Sequence, residues 1–297
     1  MLDADRQRCL VPVWLAVVVL ALAGMRAWAV EGECSSCHAK TDSAPVHAIF
    51  NSLHSRVEAP EGREVCVSCH GDSSEHVKDP RNSAPSVSFG PRWESPATDR
   101  DGACLSCHKG GERIMWAGSV HHQEDVSCSD CHSLHTSFDD ILDKKKQPDQ
   151  CFSCHSRQRA EAQLPSHHPI LEGKTACSDC HKPHGSGAEA MLTQVTLNDT
   201  CTSCHAEKRG PFLFEHQPVT EDCSECHSPH GSINRPLLNA RGPQLCQQCH
   251  MAAFHPSQVA TGSGLENLNP NLLGKNCLNC HSQVHGSNHP SGGKLTR

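Results

Sequence analysis

The 297-residue chain contains no tyrosine, and aromatic residues make up only 4% of it. No phenol is available as a catalytic acid, a nucleophile or a metal ligand. The shortage of rings also removes the side chains that usually dominate a core. Glycine (21) and proline (19) are plentiful instead, and both interrupt regular elements. These counts exclude a conventional hydrophobic domain of this length. Methionine is scarce, five in all, and beyond residue 29 only Met115, Met191 and Met251 remain. There is no excess of positive charge. The formal net charge is −7, which argues against nucleic acid as a partner. Beyond residue 24 no apolar run approaches the roughly 20 residues of a membrane-spanning helix.

What the chain does have is cysteine. Of its 21 cysteines, all but Cys9 fall in copies of Cys-x-x-Cys-His. These are Cys34, Cys37 and His38; Cys66, Cys69 and His70; Cys104, Cys107 and His108; Cys128, Cys131 and His132; and Cys151, Cys154 and His155. The series continues with Cys177, Cys180 and His181; Cys201, Cys204 and His205; Cys223, Cys226 and His227; Cys246, Cys249 and His250; and Cys277, Cys280 and His281. This pentapeptide is the attachment signature of c-type haem. The two thiols form thioethers with the vinyl groups, and the adjacent histidine is the proximal ligand of the iron. Zinc sites combine Cys-x-x-Cys with spaced histidines or a second cysteine pair, and a redox pair or disulfide needs no histidine at all. Unbroken coupling of every pair to a histidine favours covalent haem, ten times over.

Haem attachment of this kind takes place outside the cytoplasmic membrane, and the N-terminus agrees. Residues 1–29 read as a secretory signal. Arg6 and Arg8 precede an apolar run over residues 10–24, and Ala27-Trp28-Ala29 supplies a small-x-small cleavage site. Cleavage leaves residues 30–297 as a decahaem cytochrome c with a formal charge of −8, from 23 basic and 31 acidic side chains.

The motifs alternate in character. Five of them, at Cys66, Cys128, Cys177, Cys223 and Cys277, have a histidine shortly downstream: His76, His135, His184, His230 and His285. Ahead of each of these motifs lies another: His54, His121, His167, His216 and His255. The unit is thus motif, histidine, motif, histidine, repeated over approximately residues 30–80, 100–136, 148–186, 198–232 and 243–288. Each unit carries two haems and two further histidines. Five units supply ten distal ligands for ten irons, and the scarcity of methionine excludes general His/Met ligation. Within His121-His122 and His167-His168 the first member is chosen. His121 lies seven residues before Cys128, as His216 does before Cys223, and "HHPI" aligns with "HQPV". His54 is preferred to His47 because it is nearer its motif, and His289 is left as a surface residue. His227 and His230 are three residues apart and cannot reach opposite faces of one ring, so His230 must serve a neighbouring haem.

The expected fold class is a multihaem cytochrome c: mostly irregular with short α-helices, an elongated row of haems built from five dihaem repeats, and little or no β-sheet. Residues 139–147 and 188–197 are expected to form short helical segments. Residues 79–102 read as an extended excursion, 256–276 as a loop and 286–297 as a polar tail. Iron with two strong axial ligands has no open site, so the chemistry is single-electron transfer at low potential. Ten rings stacked at about 3.5 Å would cover roughly 35 Å, more than the apolar band of about 25 Å of an outer-membrane barrel.

The chain resembles the periplasmic decahaem cytochromes of the MtrA/MtoA/PioA type, also called the DmsE family. The resemblance rests on the ten motifs, on "CSDCHKPHGS" (177–186) and "CSECHSPHGS" (223–232), on "CHGDSSEHV" (69–77), and on the ending "CLNCHSQVHGSNHPSG" (277–292). It implies a periplasmic protein that inserts into an outer-membrane β-barrel porin. Such a protein carries electrons between periplasmic or inner-membrane cytochromes and extracellular metal, for Fe(III) reduction or Fe(II) oxidation. An extracellular multihaem cytochrome is a further candidate partner. Two competing readings are a periplasmic donor to a terminal reductase, such as one for dimethyl sulfoxide, and a multihaem reductase with one open haem. The latter would usually need a Cys-x-x-Cys-Lys motif or a catalytic tyrosine, and the chain has neither.

Overall fold

Each Cys-x-x-Cys-His closes one turn of helix. The histidine N–H donates to the first cysteine's carbonyl at 2.8–3.0 Å in the eight motifs from Cys104 onward. One such turn brings both thiols and the imidazole to the same side of the backbone. The computed structural model describes residues 34, 37, 38, 46–56, 65–250 and 275–297. The expected signal segment, His255 and most of the expected loop 256–276 lie outside the described residues.

As expected, the architecture is short helices joined by irregular chain. Among the described residues there is no strand, only isolated bridges such as Ser166 with Ser232 and Phe214 with Ser287. The longest helix among the described residues, Ala97–Leu105, has nine residues. An isolated helix of that length is not stable in water, so packing must hold it. It also corrects the expected extended excursion over 79–102. Proline and serine dominate only its first part, and Pro96 stands at the N-cap of the helix. The segments at 139–147 and 188–197 reduce to 3₁₀ turns at Asp140–Leu142 and Glu189–Met191.

The two motifs of a repeat play different parts. In the first, a helix runs into the leading cysteine: Ala97–Leu105, Gln147–Phe152, Leu197–Thr202 and Gly242–Gln247. In the second, the motif itself is the turn: Cys128–Cys131, Cys177–Cys180, Cys223–Glu225 and Cys277–Asn279. The first helix then caps the second turn. Asp101, three residues before Cys104, accepts from the Cys128 N–H at 2.8 Å, and Asn198, three before Cys201, accepts from the Cys223 N–H at 2.8 Å. Gln147 does the same for the Ser178 N–H at 3.0 Å. Orphan donors at a helix start are satisfied across the repeat rather than locally.

The chain divides into two compact units. One holds the described residues through His108 together with Ser127–Asp139; the other holds Lys109–Val126 and Asp140–Arg297. Side-chain cores are small in both. Ile49, Trp116, Phe152, Ala162, Ala176, Leu192 and Leu238 are the buried apolar residues among those described, while Val195, Leu53 and Ile233 are at least 72% exposed. In the first unit Arg100 ties the helix to the Cys128 turn. Its guanidinium reaches Asp130 at 2.7 Å, the Ser129 hydroxyl at 3.0 Å and the Ser95 carbonyl at 3.1 Å. Arg100 is buried, whereas the Asp130 side chain is 38% exposed and can be partly rehydrated. We therefore predict that Arg100→Ala lowers stability by about 2 kcal/mol, less than the ~3–5 kcal/mol of a fully buried pair. A denaturation midpoint unchanged from the native protein would contradict this.

Candidate haem sites

The histidine rings arrange themselves in pairs. His38 faces His76 with ring centres 6.2 Å apart, and His54 faces His108 at 6.0 Å. His70 faces His135 at 6.3 Å, and His121 faces His155 at 6.1 Å. His168 faces His205 at 6.3 Å, and His181 faces His230 at 6.1 Å. His216 faces His250 at 6.0 Å, and His227 faces His285 at 6.2 Å. Every pair joins a motif histidine to one outside any motif. The separation has a simple meaning. Two imidazole nitrogens bound to one metal at about 2 Å each are about 4 Å apart, and a ring centre lies roughly 1 Å behind each nitrogen, which gives about 6 Å in all. The residues present therefore fit a haem iron between each pair, with the motif cysteines beside it.

The ring nitrogens turned away from these gaps are held by backbone carbonyls. His181 Nδ1 lies 2.8 Å from the Ala190 carbonyl and His227 Nδ1 lies 3.0 Å from that of Pro236. In both cases the acceptor is nine residues on, at the end of a loop closed by a bond from the following residue back to 191 or 237. His70 uses the Val87 carbonyl at 3.0 Å, and His281 uses that of Lys294 at 2.8 Å. Such a partner fixes the tautomer and aims Nε2 at the metal. Burial holds His135, His227, His230 and His285 below the ordinary imidazole range. That favours the neutral form a metal requires.

A second set of contacts joins successive repeats. His121 Nδ1 meets the Pro183 carbonyl at 3.0 Å, His168 Nδ1 that of Pro229 at 2.8 Å, and His216 Nδ1 that of Val284 at 3.0 Å. Each acceptor directly precedes a downstream histidine of the next repeat: His184, His230 or His285. Two residues further along, Ser232 and Ser287 exchange backbone bonds with Ser166 and Phe214 at 2.8–3.0 Å. This explains the glycine in the recurring "HGS". A Cβ on Gly231 would overlap the Glu161 carbonyl, and one on Gly286, at φ +130°, would overlap the Phe212 ring.

The cysteines order the sites. Leading thiols within a repeat touch: Cys104 with Cys128, Cys151 with Cys177, Cys201 with Cys223, and Cys246 with Cys277. Between repeats the trailing thiols lie near one another: Cys69 and Cys107, Cys180 and Cys204, and Cys226 and Cys249. Within each unit, neighbours in sequence are thus neighbours in space.

Most of the expected distal histidines occupy such gaps, with one substitution. The structure places His168, not His167, opposite His205. His167 is committed elsewhere: its Nδ1 lies 2.6 Å from the Leu164 carbonyl and its Nε2 3.3 Å from Glu172. Those two acceptors raise its pKa, favouring a cation that cannot bind metal. His122 packs against Trp116 at 6.0 Å, which leaves His121 as the facing ring. His184 packs against the same indole at 6.3 Å. His132 is met by the Asp139 carboxylate at 2.6 Å. Sequence reasoning did not single out Asp139, and no spacing rule would have found it.

Repeated turns of paired thiols beneath facing imidazoles define a multihaem c-type cytochrome. A family described as "Doubled CXXCH motif" matches residues 27–75, 167–210 and 216–255, and one described as "Cytochrome c-type protein NrfB-like" matches 66–148. The multiheme cytochrome MtrA of Shewanella baltica (strain OS185) is 44% identical over 271 residues, covering 89% of this chain and 80% of that protein. The cytochrome c-type protein NrfB of Haemophilus influenzae (strain ATCC 51907 / DSM 11121 / KW20 / Rd) is 28% identical over 120 residues, 37% of this chain and 53% of that protein. The chain belongs to the MtrA family of multihaem cytochromes, carries covalently bound c-type haem and transfers electrons.

The pairings generate a sharp expectation. His168→Ala should produce one high-spin ferric haem in the EPR spectrum, and His167→Ala should leave the iron low-spin. His230→Met should disturb the haem held by Cys177 and Cys180, not the one held by Cys223 and Cys226. The reverse pattern in either experiment would refute the pairing.

Proposed function

We propose that the protein is a decahaem wire that carries electrons across the outer membrane inside a β-barrel porin. The observation that carries this reading is the succession of paired histidines in sequence order. All ten Cys-x-x-Cys-His motifs would hold haem, in five dihaem repeats. Each iron would be bound by its motif histidine and by one of His54, His76, His121, His135, His168, His184, His216, His230, His255 or His285. The group supplies reversible one-electron chemistry at iron. The chain's own imidazoles would hold the iron on both sides and leave no site open for substrate, a role of carriage rather than catalysis.

Several features support the location. The N-terminal 29 residues read as an export signal, and among the described residues no helix is long and apolar enough to cross a membrane. A partner must therefore provide passage through a bilayer. The resemblance of the ending (277–292) to the barrel-inserted decahaem family supports a porin as that partner. Periplasmic and inner-membrane cytochromes would meet the wire on one side, and extracellular metal or an outer multihaem cytochrome on the other. Ten close haems also suit a span, where a diffusing shuttle needs fewer.

Mass spectrometry of the mature protein should show ten haem additions on a chain beginning near Val30. Liposomes with an internal redox dye provide the functional test. The cytochrome–porin complex should let an external reductant bleach the dye, and the porin alone should not. A cytochrome that never associates with the porin and adds no transmembrane flux would replace this reading with that of a periplasmic shuttle.

A further inference from the structure

The proximal histidines of the second-type motifs share one arrangement with a single departure. His70, His181, His227 and His281 each turn Nδ1 to a backbone carbonyl brought back by a loop, at 2.8–3.0 Å. At His132 a carboxylate takes that place. Asp139 Oδ2 lies 2.6 Å from His132 Nδ1, and Oδ1 accepts from the Ser133 N–H at 3.2 Å. The Asp139 side chain is 15% exposed. Among the described residues, no lysine or arginine pairs with it. The distal ring His230 also faces a carboxylate, Glu161, but at the longer distance of 3.3 Å, and Arg157 already engages that carboxylate at 2.8 Å. The distal rings His76, His121, His168 and His216 use carbonyls.

A carbonyl and a carboxylate differ as acceptors. The carboxylate carries a full negative charge and forms the stronger, shorter bond to an N–H. It draws the Nδ1 proton toward itself and makes the imidazole a better donor to metal. Greater donation, and a negative charge held in a poorly hydrated place, both stabilise ferric over ferrous iron. We propose that Asp139 is a positioning residue that makes the haem of Cys128, Cys131 and His132 a low-potential station, below the haems whose proximal histidines rest on carbonyls. The proton remains on the His132–Asp139 pair throughout, and only the electron moves. The inference requires His132 to bind iron but does not depend on the porin role. A working shuttle or a working conduit would serve it equally.

The experiment is a spectroelectrochemical titration of the full-length, haem-loaded protein beside Asp139→Asn and Asp139→Glu, with haem count and spin state checked by mass and EPR. In D139N one tenth of the absorbance change should move to higher potential while ten low-spin haems remain, and D139E should restore the native curve. A D139N curve superimposable on the native one, with all ten haems low-spin, would overturn the proposal. A second measurement avoids reliance on D139N loading its haem. The EPR difference between native protein and His132→Met isolates this iron. A largest g value below that of the other haems supports strong donation from His132, whereas an ordinary bis-imidazole signal counts against it.

Discussion

Facing of histidine rings between repeats is the constraint from which the rest of the structure follows. The histidine ahead of a second-type motif faces the first motif of the next repeat, as His54 faces His108 and His216 faces His250. The histidine after a second-type motif faces backward, as His135 does to His70 and His285 to His227. In these cases a repeat lends one ring forward or one back, and its gaps are closed by rings from its neighbours. Short helices, scant apolar burial and loops that return a single carbonyl are all tolerable under this arrangement. The described side chains supply little of the packing that a domain of this size would normally draw from them.

How much of this was legible in the sequence depends on the range of the interaction. Haem attachment was legible because thioether and proximal chemistry are written in five adjacent residues. Counting gave an expectation of ten distal histidines, but not which ring faces which. His167 was preferred through the local match of "HHPI" with "HQPV", yet the choice is made by the Pro229 carbonyl, 61 residues away, which receives His168 instead. The helix Ala97–Leu105 was hidden by proline-rich composition, although a proline just before a run of Ala, Thr and Asp is itself a start signal. Asp139 looked like the beginning of a charged turn, and only the loop's path brings it to His132.

The recurrent "PHGS" is likewise a statement about distance. At 229–232 the histidine, His230, faces His181 in the repeat before, the Pro229 carbonyl orients His168 of that earlier repeat, and Gly231 lets the two backbones meet. Three neighbouring residues thus secure two haem gaps at once, so substitution there damages sites that are remote in sequence.

His76 departs from the backward rule. It turns instead to His38, the first motif histidine of the same repeat. One gap of that repeat is thus closed without a ring from a neighbour. An array made this way can be lengthened by inserting a module in its interior, where each newcomer finds donors on both sides.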